Sequence, residues 1–284
     1  MTAKPIVIKT PAEMIADSRA ARARGERVGL VPTMGALHKG HISLVEYARQ
    51  RCDRLAVSIF VNPMQFNKKD DLAKYPRTWE RDAALCAAAG ADVIYAPDAA
   101  AMYPPGFQTK VLVETMTQGL CGAFRPGHFD GVTTVVLKLF HAVRPHLAVF
   151  GEKDYQQLKV IQRMCQNLDL TVEVVGCPTV READGLALSS RNVHLSPSER
   201  GQALCLFKAL SRAKALAQAG EREAAVLAAA ARQEIEGSPS ARLEYLEVVD
   251  AQTLETVTRL TRPARMCLAA WLGNTRLIDN MGLD

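Results

Sequence analysis

The sequence predicts an α/β protein, a doubly wound parallel sheet with a second, smaller α+β domain. Three observations predict it. Short apolar runs alternate with helical patterns through the first 179 residues. Those runs are continuously apolar, as strands covered on both faces are. Near residue 180 the texture changes to long Ala-rich helices followed by short strands.

Residues 27–32 (RVGLVP) read as a buried strand, and 55–61 (LAVSIFV) as the next. Between them, 41–52 is a helix with an apolar stripe of Ile42, Leu44, Val45 and Ala48. A helix over 79–89 stops at Gly90 and leads to a strand at 91–96 (ADVIYA). A Val- and Leu-rich helix at 131–143 precedes a strand at 146–150 (HLAVF). A helix at 155–167 and a strand at 171–176 complete the pattern. Strand–helix–strand repetition implies parallel pairing through right-handed crossovers, a Rossmann-like sheet. Beyond it, Ser196-Pro197-Ser198-Glu199 is a capping box with Pro at the first helical position. One long helix should run from there to Gly220, and another over 221–236 to Gly237. Strands at 243–249, 266–272 and 275–279 follow, the last two joined by a Gly273-Asn274 turn. The division expected is 1–179 and 180–284. The stretches 62–75 and 103–128 are polar and irregular, where binding sites concentrate.

The chain of 284 residues is 48% hydrophobic and 23% charged, which excludes a disordered or fibrous protein. Thirty-five Lys+Arg against 30 Asp+Glu leave +5 without a basic run. That argues against a nucleic-acid partner and suits an enzyme handling phosphates or carboxylates. Seven cysteines without a CxxC pair read as reduced core thiols, which points to a reducing, cytoplasmic compartment and away from structural zinc. There is no charged-then-apolar leader pattern and no run of about 18 apolar residues, so neither a signal peptide nor a membrane span is expected.

The most informative segment is VPTMGALHKGH, 31–41, which joins the first strand to the first helix. In a parallel sheet this is the carboxyl edge, where ligands bind. His38 and His41 stand three apart at a helix mouth around Gly40. Imidazoles, free helix amides and the helix dipole would converge there on a phosphate chain. A helix cap is the bland alternative, and a zinc pair lacks a nearby third ligand. FGEKDYQQ, 150–157, is a second strand-to-helix turn on the same edge. Lys153 can neutralise phosphate, Asp154 can accept from ribose, and Gln156 or Gln157 should face the crevice. ALSSRN, 187–192, offers Ser189, Ser190 and Arg191 as a phosphate clamp or an ordinary surface turn. Asn62-Pro63-Met64-Gln65-Phe66 follows the second strand, with Gln65 able to read a hydroxyl or carboxylate. RPGH, 125–128, reads equally as an anion-contacting flap and as a turn.

Together, PTMGALHKGH, SIFVNPMQF, YPRT, RPGHF, GEKDYQQL and PTVREADGLALSSRN resemble, in order and along nearly the whole chain, the pantoate–β-alanine ligase family. HxGH alone would mark only the wider nucleotidyltransferase superfamily. The resemblance implies ATP-driven condensation of pantoate with β-alanine to pantothenate through a pantoyl-adenylate, with release of pyrophosphate and then AMP. It implies that 1–179 binds nucleotide and pantoate and that 180–284 is a lid. Met34, Gly35, Ala36, Leu37, His38, Lys39, Gly40 and His41 would bind ATP, with Gly151, Glu152, Lys153, Asp154, Val180, Leu188, Ser189, Ser190 and Arg191. Catalysis would fall to His41, His38, Lys153 and Arg191. Gln65, Gln157 and Asn62 would hold pantoate, with Gln65 also near β-alanine. Mg2+ would accompany the phosphates, with Asp70, Asp71 and Asp82 as candidate ligands, and the enzyme would be a homodimer. The loop LCGAFRPGHF departs from the family pattern, with Cys121 where Glu is frequent and Phe124 where Ser is frequent. Two other classes are weighed against this reading. One is an HxGH enzyme that adenylylates a phosphorylated acceptor, which needs a more basic pocket. The other is an RNA-binding protein, which needs a basic stripe and a steep salt dependence.

Overall fold

A computed structural model describes residues 4–67 and 69–283. In chain order the strands and helices are β1 (Ile6–Ile8), α1 (Pro11–Ala23), β2 (Val28–Thr33), α2 (Lys39–Arg49), β3 (Arg54–Ile59), α3 (Lys69–Lys74), α4 (Trp79–Ala88), β4 (Val93–Tyr95) and α5 (Ala99–Met102). They continue with α6 (Cys121–Phe124), α7 (His128–Val143), β5 (Leu147–Gly151), α8 (Tyr155–Asn167), β6 (Glu173–Cys177), α9 (Pro197–Gln202), α10 (Leu204–Gln218) and α11 (Ala224–Glu236). β7 (Ala241–Asp250), β8 (Ala264–Leu272) and β9 (Thr275–Gly282) close the chain.

The chain divides into two compact units. The first comprises the chain up to Glu114, Arg125–Glu152 and Val160–Pro178. The second comprises Thr115–Phe124, Lys153–Lys159 and the chain from Thr179 onward. Two excursions from the first two-thirds of the chain thus belong to the second unit. Their hydrogen bonds explain it. Gln156 is buried and binds the backbone of Met116, Gly119 and Cys121, while Tyr155 and Lys159 bind Ala251 and Gln252.

The first unit is the expected doubly wound α/β structure, six parallel strands in the order β1-β4-β3-β2-β5-β6. The chain runs outward from β2 through β3 to β4, then returns to β5 on the other side of β2. That reversal makes a crevice at the carboxyl ends of β2 and β5. The core here is aliphatic, with Val31, Leu37, Val45, Leu55, Val57 and Val149 fully buried. Four elements of this unit escape a reading by apolar pattern: β1, α1 and the short helices α3 and α5, of which α3 lies in the stretch expected to be irregular. β1 is a three-residue edge strand with Ile6 and Val7 exposed. α1 opens with Thr10-Pro11-Ala12-Glu13, the same signature as at Ser196, and both capping boxes form.

The second unit carries the antiparallel sheet β7-β8-β9, covered by α10 and α11. The Gly273-Asn274 turn is present, with Gly273 at φ +54°. The single long helix expected after Ser196 is two. It breaks at Ala203, where Leu206 N–H reaches the Ala203 carbonyl in an i→i+3 step (3.2 Å). All seven cysteines are buried and free. Burial pushes the Cys52 and Cys165 thiols up to about 11 and the Cys86 and Cys267 thiols up to about 12. None of these four is a nucleophile at neutral pH.

Candidate active site

In the first unit, β2 and β3 pair with Thr33 opposite Ile59, so the segments that leave their carboxyl ends start side by side. The segment after β2 is built on Asp82. That carboxylate, 1% exposed, accepts the N–H groups of Ala36 (2.9 Å) and Leu37 (2.8 Å) and the Thr78 hydroxyl (3.1 Å). Gly35 takes φ +81°, and a side chain there would meet Asp82 Oδ2 and Ile59. Asp82 was a candidate magnesium ligand. It is instead a backbone anchor, because its oxygens are committed to three donors. Asp70 and Asp71 have side chains outside the described residues. Among the described residues no three His, Cys, Asp or Glu converge on a metal position.

α2 opens at His38, and the two histidines cap it reciprocally. His38 Nδ1 accepts the Gly40 N–H (3.2 Å), and His41 Nδ1 accepts the His38 N–H (3.3 Å). The rings lie 4.1 Å apart. With Nδ1 accepting, each neutral imidazole carries its proton on Nε2. The cap fixes which ring atom of each imidazole can donate. The expectation of free helix amides does not hold. The N–H groups of His41 and Ile42 bind the His38 carbonyl (2.8 and 3.1 Å), and Gly35 N–H binds Thr33 Oγ1 (3.2 Å). What 34–41 offers a ligand is two oriented imidazoles and backbone shape, with most of its amides already used.

The segment after β3 folds into a 3₁₀ turn, Pro63–Gln65, capped by Asn62. Asn62 is 1% exposed, and its amide is saturated. Nδ2 donates to Gln65 Oε1 and the Gly131 carbonyl, both at 3.0 Å. Oδ1 accepts from Met64 N–H (3.3 Å) and the Tyr103 hydroxyl (2.8 Å). An Asn side chain makes four such bonds. The assignment of Asn62 to substrate is therefore corrected: it holds Gln65. Burial pushes the Tyr103 hydroxyl above its ordinary value and so keeps it a donor. Gln65 itself donates Nε2 to Met34 Sδ (3.3 Å), leaving one Nε2 hydrogen and one Oε1 lone pair uncommitted among the described residues. Its carbonyl accepts from Arg125 Nη2 (3.0 Å) and His128 Nδ1 (2.8 Å). RPGH is thus a clamp on the Gln65 backbone. Sequence reasoning missed Tyr103 and the clamping role of His128. Both contacts cross long stretches of chain and leave no local signal.

β5 ends at Gly151 beside β2, with Glu152 half-buried after it. In the second unit, Lys153 and Gln157 are half-buried and Asp154 is exposed. Gln156, the alternative to Gln157, is buried with its amide committed to the backbone of 116–121. Leu188 N–H binds the Val180 carbonyl (3.0 Å), which closes a small hairpin ahead of Ser189. Ser189 Oγ then caps a 3₁₀ turn, Ser190–His194, by accepting the Arg191 N–H (3.3 Å). Neither the Lys153 ammonium nor the Arg191 guanidinium has a hydrogen-bond or ion-pair partner among the described residues. The departures at Cys121 and Phe124 also resolve here. Cys121 Sγ lies 3.8 Å from Arg276 Nη2, and Phe124 stacks on Tyr245. Glu244 supplies the carboxylate that pairs with Arg276, at 2.5 Å.

Comparison with known proteins gives a consistent picture. The family described as Pantoate-beta-alanine ligase matches residues 6–282. Pantothenate synthetase of Heliobacterium modesticaldum is 53% identical over 98% of this chain and 99% of its own length. The Myxococcus xanthus pantothenate synthetase is 53% identical over 98% and 96%. The crystal structure of the Thermus thermophilus enzyme is 46% identical with TM-score 0.91, covering 97% of this chain and 98% of that one. That of the Francisella tularensis ligase, complexed with β-γ ATP and β-alanine, is 32% identical with TM-score 0.82, covering 98% and 97%.

Proposed function

The chain belongs to the pantoate–β-alanine ligase family, and from that premise we propose how its residues divide the work. It is an AMP-forming ligase that condenses pantoate with β-alanine. Pantoate and ATP give pantoyl-adenylate and pyrophosphate; the β-alanine amine then displaces AMP to give pantothenate.

A carboxylate resists amine attack until its oxygen becomes a good leaving group, which adenylation supplies. In that first step an anion attacks an anionic phosphate, so fixed positive charge and oriented donors are the main catalytic tools. His41 and His38 present Nε2–H donors to the phosphate chain, held by their reciprocal cap. Lys153 and Arg191 supply cations, and Ser189 and Ser190 supply hydroxyls. Met34, Gly35, Ala36, Leu37, Lys39 and Gly40, with Gly151, Glu152, Asp154, Val180 and Leu188, shape the nucleotide's surroundings. Gln65 and Gln157 read the pantoate hydroxyl and carboxylate with neutral groups, which suits a singly charged acid better than a phosphorylated one. Asn62 acts only by holding Gln65. The second step needs a positioned, deprotonated amine and exclusion of water from the acyl-adenylate.

The observation that carries this assignment of roles is the paired histidine cap beside Gln65 at the switch point. Magnesium belongs with the triphosphate. It would be held mainly by the phosphates, with one or two carboxylates of the chain at most, as Mg2+ commonly is. Seven buried free thiols suit a reducing, cytoplasmic setting, and among the described residues no helix is long and apolar enough to cross a membrane. A homodimer is proposed from membership of the family alone, and sedimentation of the chain as a monomer would overturn it. The deciding assay for the reaction is release of pyrophosphate from ATP and pantoate, then AMP and pantothenate on adding β-alanine. Formation of AMP without dependence on both acids would overturn the assignment.

A further inference from the structure

β9 places two consecutive polar residues, Asp279 and Asn280, in the second unit's interior at 3% and 5% exposure. Each anchors a different segment of that unit. Asp279 accepts both terminal nitrogens of Arg181 (2.6 and 2.9 Å), at the root of the hairpin that leads to Ser189. Asn280 Nδ2 donates to the Lys153 carbonyl (2.9 Å), and its Oδ1 accepts from Arg265 Nη1 (2.7 Å). Arg265 in turn lies over the Tyr155 ring, 3.9 Å from its centroid, and Tyr155 donates its hydroxyl to the Ala251 carbonyl (2.7 Å).

A buried amide is costly unless satisfied, so an apolar residue would be the simpler occupant of this sheet position. What the amide achieves is specific. It fixes the backbone of Lys153 in the turn ahead of α8, two residues before a ring that Arg265 also grips. The Lys153 ammonium, by contrast, has no partner among the described residues. The root of the side chain is fixed and its charged end is uncommitted. A lysine stem has four rotatable carbons, so holding its root restricts where its charge can be delivered.

We propose that Asn280, oriented by Arg265, is a positioning residue that fixes the Lys153 backbone so that the ammonium meets the nucleotide phosphates. This rests on the reading that Lys153 serves the nucleotide. Asn280→Asp isolates the idea. Aspartate keeps the shape and the acceptor for Arg265 but has no hydrogen for the Lys153 carbonyl.

The experiment compares wild type, Asn280→Asp, Lys153→Ala and the double variant. It measures pantoate-dependent pyrophosphate release as kcat and KM for ATP, with a thermal melt of each chain. Asn280→Asp should lower kcat/KM for ATP on the order of 10–100-fold, the scale of a small misplacement. It should add nothing in the Lys153→Ala background. Wild-type kinetics in Asn280→Asp, or the same fold-loss in both backgrounds, overturns the positioning role. Wild-type kinetics in Lys153→Ala also overturns it, and shows that the assignment of Lys153 failed first. If Asn280→Asp loses its cooperative melt, Arg265→Met makes the same comparison, since it removes the guanidinium and keeps an apolar stem over Tyr155. A loss that vanishes in Lys153→Ala supports the proposal; one that persists overturns it.

Discussion

At the residue scale, what separates a ligand-binding side chain from a structural one is unused bonding capacity. Asn62 and Gln65 are both buried amides three positions apart, yet Asn62 has all four bonds made and Gln65 keeps two. Gln65→Ala should therefore raise KM for pantoate and cost less stability than Asn62→Ala, because it strands one Asn62 N–H where Asn62→Ala strands four partners. Asn62→Ala should cost about 1–3 kcal/mol of stability, because it strands buried partners. It should raise KM for pantoate as well, since Gln65 loses its orienting contact. Equal melts for the two variants would contradict this division. For His41→Ala, adenylation should fall by about 10²–10⁴, the range of a positioned proton donor. A wild-type rate of pyrophosphate release would refute its role. The residue types at these strand ends were legible in the sequence, since PTMGALHKGH and NPMQF sit where a parallel sheet binds ligands. Their capacities were not. The partners that saturate Asn62 lie 41 and 69 positions away, at Tyr103 and Gly131.

At the scale of elements, the site depends on how closely α7 approaches the turn that holds Gln65. A side chain at Gly131 would stand 2.5 Å from the Met64 backbone and 2.6 Å from Gln65 N. Neither neighbour is a flexible tip that could swing aside. Gly131→Ala should thus push the turn away from the helix, although Ala is the better helix former by about 1 kcal/mol. The expected result is a lower thermal midpoint together with a raised KM for pantoate. A stabilised variant with normal kinetics would show that the close packing is not needed. Strands β2 to β6 and the longer helices were readable because continuous apolar runs and 3.6-residue stripes are local signals. α1 carries a local signal too, its Thr10 capping box, which an apolar-pattern reading passes over. The 3₁₀ turn at 115–117 and α6 were not, because their order comes from the distant Gln156 clamp rather than from their own pattern.

At the scale of the whole molecule, the candidate site and His146 lie at opposite edges of the parallel sheet. The candidate site gathers at the carboxyl ends of β2, β3 and β5. At the amino edge, His146 Nδ1 accepts the Val28 N–H (2.9 Å) and so ties the entry of β5 to that of β2. Desolvation, with the positive charge of Arg22 and Arg27 nearby, lowers the pKa of His146 below its ordinary 6.5. In the unfolded chain those influences vanish, and the imidazole takes a proton at higher pH than in the fold. The unfolded state therefore binds more protons as pH drops below about 6.5, and stability falls. The contribution of His146 is fully present above that value and is lost as pH falls through the lower folded pKa. His146→Gln keeps an acceptor for Val28 and cannot titrate. Melts at pH 7.5 and 5.5 should show a larger drop in thermal midpoint for wild type than for this variant. The ATP dependence at pH 7.5 should be the same in both, because the substitution lies at the far end of β5. An identical drop in both chains would remove His146 as the source of the acid sensitivity. A changed KM for ATP would show that the two edges of the sheet are coupled.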